Sequence, residues 1–405
     1  MKRIIVLALA ACMVLGAALG ASAAEFKASG MLYAGYNYSN ADDYKTTGSD
    51  LNEFSQRFRS QIDIVTDENL SGTLYFEIDQ TWGKGPKNGP TSGGDLGADG
   101  VNIETRRAYM TFMVPNTAVK VRAGIQGLSL PGAVSGSPIL ADDVAAIVAS
   151  TSFDNVGVTG FFARPYDTAK SETTVDFFGA IVAADFGTVS VSPYFMFANV
   201  GDNAAAFGGE DAQWYGVAVE AAPIENLTLA FDGMYGKVTD EDGGFLVAGK
   251  AAYATDFAVP AFVVWYGSGN DDDGEGIMPT ADGLDFTTTT FVGFGATGTS
   301  NDSLFGTALG KWGVSLQASE LTFLENVTHT VRLSYIQGTN EDSSDLTVWG
   351  DDDRAYEFDF VTVYSAYPNL DFIVDLAYAG TDFDGGAAKS VDNVYKAALG
   401  VQYNF

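Results

Sequence analysis

Long and short connections take turns along this chain, and this limits the folds that it can adopt. From Phe26 onward the 405 residues form about eighteen segments of roughly 9–14 residues, and most of them alternate apolar and polar side chains. The long connections are rich in Gly, Asp, Asn and Ser and cover 39–51, 83–101, 127–141, 165–173, 200–211, 238–244, 268–310, 339–353 and 381–390. The short connections cover 67–69, 115–117, 154–155, 185–187, 223–226, 256–257, 324–326 and 368–369. This layout predicts an all-β chain, a closed antiparallel barrel of about eighteen strands, or sixteen if one segment has been split.

The last stretch, Val391 to Phe405, has the pattern of a strand that could close such a barrel. Apolar or aromatic side chains precede the terminal Phe405 at every second position, including Tyr403 and Val401. A closed barrel has to pair its last strand with its first, because an open edge exposes unpaired backbone groups. We therefore expect this strand to pair with the segment that begins at Phe26.

The alternation separates charge from apolar surface. In segment 52–65 the apolar residues share one parity, whereas Arg57 and Arg59 share the other. An arginine at the bilayer midplane costs roughly 2–4 kcal/mol. We therefore predict a transmembrane barrel whose apolar parity faces lipid and whose charged parity faces the lumen. Arg106 has the lipid parity, which predicts a position at the outer rim or at a subunit interface.

The first 23 residues have the form of an export signal. Lys2 and Arg3 precede an apolar run from Ile4 to Gly20, and Ala21-Ser22-Ala23 gives a small-x-small cleavage site. We predict cleavage after Ala23 and one barrel domain over 24–405. An alternative is lipidation at Cys12. No later run approaches the ~20 apolar residues that a membrane helix needs.

Composition excludes several classes of function. The formal net charge is −31, and about −33 without the signal, which argues against binding nucleic acid. Cys12 is the sole cysteine, so the mature chain has no disulfide and no cysteine metal site. His329 is the sole histidine, and its parity points outward with no serine beside it. These observations predict a protein that is not an enzyme and has no cofactor.

The whole mature chain resembles the trimeric outer-membrane porins of Gram-negative bacteria. The resemblance is carried by the signal peptide, the RFRSQIDI and LYFEID hairpin, the two kinds of connection and the terminal LGVQYNF. Among these porins it looks most like the homotrimeric porins of sulfate-reducing proteobacteria of the Desulfovibrio type. The resemblance implies a cell-outer-membrane location, short periplasmic turns, long extracellular loops and a homotrimer. It also implies that Tyr403 and Phe405 form an assembly signal for the barrel-assembly machinery, and that outer-membrane lipid and lipopolysaccharide surround the barrel.

In general porins the third long loop folds inward and faces a basic wall. Here that loop is 127–141. Opposed charges across a narrow opening create a transverse field that orients polar solutes. The alternative is that the arginines only pair with wall carboxylates and stiffen the wall. The residues of the predicted constriction and lumen are Arg57, Arg59, Glu77, Asp79, Arg107, Lys120, Arg122, Asp142 and Asp143.

The function implied is a passive diffusion channel for small hydrophilic solutes and ions. One alternative is a substrate-selective channel, for example for sugars, which would need an aromatic track along the lumen. Another is a non-conducting structural or adhesive barrel. Acidic loops favour cations at the mouth, whereas a basic wall favours anions, and the sequence does not rank the two effects.

Two loops suggest further contacts. The second long loop, 83–101, either latches onto a neighbouring subunit or is an exposed Gly-rich loop. Asp271, Asp273 and Glu275 approach the spacing of an EF-hand, but Pro279 interrupts the window. They predict either a Ca²⁺ site among acidic extracellular loops or a solvated acidic surface.

Overall fold

A computed structural model of the protein describes residues 24–40, 50–85, 93–97, 103–168, 172–271, 275–283, 307–341, 349–383 and 393–405. These residues form one antiparallel sheet of eighteen strands, so the fold predicted from the sequence is confirmed and the count of sixteen is wrong. The predicted signal peptide, 1–23, lies outside the described residues, and the cleavage site stays a prediction. The strands are β1 (Glu25–Ser39), β2 (Leu51–Asp67), β3 (Leu70–Thr81), β4 (Glu104–Met113), β5 (Lys120–Ser129), β6 (Ala141–Phe153), β7 (Val156–Tyr166), β8 (Val175–Asp185), β9 (Val189–Val200), β10 (Ala212–Ile224), β11 (Leu227–Val238), β12 (Gly244–Tyr253), β13 (Val259–Gly267), β14 (Lys311–Leu324), β15 (Val327–Gly338), β16 (Arg354–Tyr367), β17 (Leu370–Asp382) and β18 (Val394–Asn404). A short 3-10 turn occupies Ala206–Gly209.

The sheet closes because β1 pairs with both β2 and β18. At the seam, the backbone N–H of Gly30 donates to the carbonyl of Phe405 at 2.9 Å, and the N–H of Phe405 donates back at 3.0 Å. The terminal aromatic ring stacks on Phe58 with ring centroids 6.1 Å apart. The strand predicted to close the barrel therefore does so, whereas its role as an assembly signal stays a prediction.

The eight short connections lie together at one end of the barrel, called here the short-turn end. The others lie at the long-loop end. Four of the short turns contain an Asn or Asp with positive φ, which are the residue types that adopt this conformation at low cost. These residues are Asn116, Asp154, Asn226 and Asn326.

The two faces of each strand differ in the way that the alternation predicts. In β9, Met196 and Ala198 on the lumen face are fully buried, whereas the preceding Phe195, on the outer face, is 37% exposed. Rings on the outer face form a band near the long-loop end, as an aromatic girdle does at a membrane interface. Among the described residues no helix is long and apolar enough to span a membrane. The band includes Tyr215, Tyr235, Phe245, Tyr266, Trp312, Tyr335, Tyr356, Tyr378 and Tyr395.

A large apolar surface lies on the lumen side of β6–β13. The lumen faces of β6–β13 carry large apolar side chains, and these pack with residues 130–140 of the third long loop and with residues 277–281. Buried members of this core include Phe161, Phe177, Trp214 and Trp265. Most of the core therefore lies inside the barrel on this side, and the same core continues over β15–β18 at the long-loop end, where Trp349 is buried. The charged inner faces of β2–β5 and β15–β18 line the remaining space.

Candidate channel constriction

The β2–β3 hairpin sets two ion pairs directly across from each other. Its register places Arg57 opposite Asp79 and Arg59 opposite Glu77. The Arg57 guanidinium donates from Nε to Asp79 Oδ1 at 2.8 Å and from Nη2 to Asp79 Oδ2 at 2.6 Å. The Nε of Arg59 donates to Glu77, whose side chain is almost fully buried. Two-pronged bonds of this kind fix the guanidinium plane, so the ladder presents a rigid charged wall.

A β-bulge in β4 adds a third arginine to this wall. Tyr75 pairs with Arg107 and the next residue, Phe76, pairs with Thr105, so Arg106 is the extra residue. Its Nη1 lies 3.1 Å from Oε2 of Glu77. The bulge breaks the period of two and turns Arg106 towards the lumen ladder. The outward position predicted from its parity is therefore wrong.

Asp143 joins the two neighbouring arginines. Arg106 Nε donates to its Oδ2 at 2.7 Å, and Arg107 Nε donates to its Oδ1 at 2.5 Å. Asp142 is further away, with Oδ1 3.8 Å from Arg106 Nη2. Both aspartates belong to the first residues of β6, directly after the third long loop. Their carboxylates therefore meet the arginines from the neighbouring strand.

Aromatic rings contact two further arginines of the basic wall. The guanidinium of Arg107 lies 5.4 Å from the ring centre of Tyr75, and that of Arg122 lies 5.4 Å from that of Tyr109. The Nε of Arg122 also donates to Gln126. Lys120 begins β5 at the short-turn end and its side chain is exposed. A cation–π contact of this kind attracts the guanidinium to the face of the ring and so fixes the position of the arginine side chain.

The third long loop folds into the barrel, and its residues 130–140 are called here the inner loop. Leu130 and Ile139 are almost completely buried. At its tip, the backbone N–H groups of Ala133 and Val134 each donate to one oxygen of Asp232 at 2.7 Å. Asp232 lies on the lumen face of β11 and is 1% exposed. The loop therefore crosses the lumen faces of β6–β10 and is fixed by one carboxylate on β11.

A second segment, 275–283, covers the inner loop from the long-loop end. The N–H of Ala281 donates to the carbonyl of Ile139 at 2.8 Å, and Ala141 donates to the carbonyl of Asp282 at 2.7 Å. The indole N–H of Trp214 donates to the carbonyl of Pro279 at 2.7 Å. Burial raises the pKa of Asp282 above its usual range, and a hydrogen bond with Asp142 raises it further.

A second charged strip lies on β15–β18, and the sequence did not predict it. Nη1 of Arg332 lies 3.9 Å from Oδ2 of Asp359, and Nζ of Lys396 lies 3.6 Å from Oδ2 of Asp375. Glu357 continues the strip on β16 and is 3% exposed. Alternation in these strands gives the signal, because each of these charges has the lumen parity.

In the part of the chain that the structure describes, the predicted Ca²⁺ site and His329 make only a few contacts. The N–H of Glu275 donates to Oδ1 of Asp271 at 3.2 Å, and Glu275 itself accepts from the N–H of Asp242 at 2.6 Å. Asp273 lies outside the described residues. Within the described ranges no group of three or more His, Cys, Asp or Glu side chains could hold a metal ion. His329 contacts the hydroxyl of Thr362 through Nδ1 at 2.8 Å.

Comparison with known proteins shows the fold. No protein-family model matches the chain, and no curated protein matches it in sequence. Among solved structures it is similar to a BenF-like porin from Pseudomonas fluorescens Pf-5, with 11% identity, a TM-score of 0.62 and coverage of 94% of this chain and 98% of that one. It is also similar to Pseudomonas aeruginosa OpdQ, at 12% identity, TM-score 0.59, and coverage of 94% and 98%. The outer membrane protein OprD from the same organism matches at 14% identity and TM-score 0.57, over 93% of both chains.

Proposed function

We propose that this protein is a passive diffusion channel for small hydrophilic solutes and ions in the outer membrane of a Gram-negative bacterium. The observation that carries the proposal is a fixed arginine–carboxylate ladder inside a closed barrel that is narrowed by an inward-folded loop. No bond is made or broken in such a channel. Its selectivity follows from the width of the opening and from the charges on its wall.

The wall charges support a field across the opening. The ladder on β2–β5 carries more bases than acids, whereas the strip on β15–β18 carries more acids than bases. A Debye length of about 8 Å at physiological salt is comparable to a pore radius, so salt screens this field only in part. A polar solute that enters would turn its dipole along the line between the two strips. Ladder and strip would thus supply the opposed charges that a transverse field requires.

The wider setting is proposed on the same basis. The long-loop end would face the outside and the short-turn end the periplasm, with the exported chain cleaved after Ala23. The band of outer-face rings would lie at the lipopolysaccharide leaflet. A homotrimer, assembled by the barrel-assembly machinery, agrees with the resemblance of the sequence to trimeric porins. Ca²⁺ at the acidic outer loops remains part of the proposal, and Asp271 and Glu275 are its described residues.

Conductance tests the proposal directly. Detergent-purified, unboiled protein should insert into a planar bilayer and give current steps, in groups of three if the protein is a trimer. The sign of the reversal potential in a KCl gradient would report whether the basic ladder or the acidic loops govern permeation. Protein that is folded and heat-modifiable on a gel but gives no current would refute the diffusion channel and leave a structural barrel.

A further inference from the structure

A cavity lies at the long-loop end, apart from the charged ladder. Its volume is about 930 Å³, within the range of cavities that hold small organic ligands. It is lined by described residues from both ends of the connection between β7 and β8, from the connection between β9 and β10, and from the segment 275–283. It is lined by Tyr166, Thr168, Thr173, Val175, Asn203, Ala204, Ala205, Ala206, Phe207, Thr280 and Ala281.

The lining is polar without being charged. It offers the hydroxyl groups of three threonines and one tyrosine and the amide of Asn203, and no described lining residue carries a charge. Two of the hydroxyls are held together, because Thr168 Oγ1 donates to Thr173 Oγ1 at 2.7 Å. Beside the lining, Nδ2 of Asn203 donates to Oε2 of Glu172 at 3.3 Å. An anion that left water for this cavity would lose hydration and approach this carboxylate, which is costly. The cavity therefore favours a neutral solute over an anion.

One wall of the cavity is an aromatic ring held in an unusual backbone conformation. Phe207 has φ 50° and ψ 34°, which is rare for a bulky residue. Its ring packs edge-on against Trp214 at a centroid distance of 5.5 Å. Trp214 is fully buried and is itself fixed by its bond to Pro279. The strained turn thus presents a partly exposed ring beside Ala204–Ala206, whose small side chains leave space in front of it.

A β-bulge supplies the second ring. The register of β7 and β8 shifts between Ala163 and Tyr166, so that Tyr166 pairs with Val175. Val175 is fully buried on the lumen face. Cross-strand partners point to the same face of a sheet, so the bulge turns Tyr166 to the lumen side, where it lines the cavity. Two aromatic walls and a set of hydroxyl groups suit a compound that joins a flat ring to hydroxyl groups.

The cavity also adjoins the constriction. Thr280 and Ala281 form part of its lining, and Ala281 is bonded to Ile139 of the inner loop. A solute bound here would therefore sit against the segment that covers the inner loop, next to the opening that it must pass.

We propose that this cavity binds uncharged ring compounds that bear hydroxyl groups, with the size of a phenyl glycoside or smaller. The ring would stack on Phe207 and Tyr166, and its hydroxyl groups would bond to the threonine hydroxyls and to the amide of Asn203. The inference goes beyond the proposed diffusion function, because passive diffusion requires no binding site. It makes the channel selective for one class of neutral solute among those small enough to pass.

Calorimetric titration of the detergent-purified full-length protein with phenyl β-D-glucopyranoside tests the proposal, and phenyl β-D-glucuronide serves as its charged counterpart. The glucoside should bind, and the glucuronide should bind at least about tenfold more weakly. Ala206→Trp fills the cavity and should weaken glucoside binding by at least about tenfold. Phe257→Trp, at an exposed site of the short-turn end, adds the same indole elsewhere and should leave binding unchanged.

Thr280→Val keeps the side-chain volume, removes one hydroxyl group and should weaken binding of the glucoside several-fold. Heat-modifiability on a gel checks that each variant is folded, and KCl conductance should stay as in the wild type. Absence of glucoside binding, or equal binding by wild type and both cavity variants, would overturn the binding site. Conductance without binding would overturn only this inference, whereas folded protein without conductance would overturn the proposed function instead.

Discussion

The bond between Asp232 and the inner loop offers the sharpest test of how the barrel is narrowed. Each carboxylate oxygen accepts one backbone N–H at 2.7 Å, from Ala133 and from Val134. Asp232 is 1% exposed, so water does not readily replace these bonds. A hydrogen bond to a charged group contributes about 1.5–3 kcal/mol, so the pair would contribute about 3–6 kcal/mol to holding the loop.

Asp232→Ala should release the tip of the inner loop and leave the barrel intact. The partners of Asp232 in the sheet are Ala218 and Ala248, and their backbone ladder does not depend on its side chain. A loss of about 3 kcal/mol raises the ratio of released to docked loop by about 150-fold. Buried apolar residues of the loop such as Ile139 still favour the docked position, at about 1.5–3 kcal/mol each. We therefore expect a larger and noisier single-channel current.

Planar-bilayer recordings would measure the effect, with unfolding on gels as a check on the barrel. Asp232→Asn keeps one acceptor oxygen and should give an intermediate current. Glu220→Gln is the matched control, because it removes a negative charge from the lumen face of the adjacent strand, where its partners are Ser190 and Ala230. If Asp232→Ala gave the current and noise of the wild type, the carboxylate would not hold the loop. If Glu220→Gln reproduced the effect, charge and not the bond would be its cause.

Three further changes test other parts of the structure. Arg106→Ala removes a positive charge bonded to Glu77 in the lumen ladder, and should shift the reversal potential in a KCl gradient towards cation selectivity. Gly30→Val should lower the folded, heat-modifiable fraction, because a Cβ at Gly30 would lie 2.2 Å from the backbone carbonyl oxygen of Arg59 and 2.8 Å from the ring of Phe405 at the seam. Burial and the bond with Asp142 raise the pKa of Asp282, so its contribution to loop docking is complete below its usual pKa of about 3.9 and is lost as the pH rises through the raised value. Current noise should therefore increase with pH over that window, and Asp282→Asn should abolish the dependence.

Each of these changes has a control. Lys27→Ala removes a basic residue from an exposed ion pair at the short-turn end and should leave the reversal potential unchanged. Gly72→Ala adds a Cβ that meets nothing closer than 3.9 Å, so folding should proceed as in the wild type. A cation shift with Lys27→Ala, normal folding of Gly30→Val, or pH-dependent noise that persists in Asp282→Asn would contradict the respective argument.

The strands and their connections could be predicted because lipid and a wet lumen impose opposite demands on alternate residues. The ladder between Arg57 and Asp79 follows from the same cause. A short turn joins β2 to β3, and the register shifts once beside it, between Val65 and Asp67. From the pair of Val65 with Ser71 the register then stays constant through the ladder. The turn and the shift beside it therefore determine which charges face each other.

Bulges limited the prediction of the site. An extra residue at Arg106 reverses the parity of everything before it in β4, and the sequence contains no Gly or Pro there to signal it. Asp142 and Asp143 were predicted to belong to the constriction, but the alternation did not show that they begin a strand, β6, next to the arginines. The bond between Asp232 and the inner loop joins residues almost 100 positions apart, which no local pattern can indicate.

The departures from alternation nevertheless carry information about the inner loop. In β8 the lumen-facing Phe177 is 2% exposed and its outward neighbour Phe178 is 45% exposed, yet both are phenylalanine. A strand whose two faces are both apolar would be poorly solvated in a water-filled lumen, so its inner face needs a cover. Residues 130–140 provide that cover over β6–β11, whereas β2–β5 and β15–β18 carry charged side chains on their inner faces, and the core reaches β15–β18 only near the long-loop end. Loss of alternation in consecutive strands of a barrel therefore predicts where a loop folds inward, and the strands that retain it line the open part of the channel.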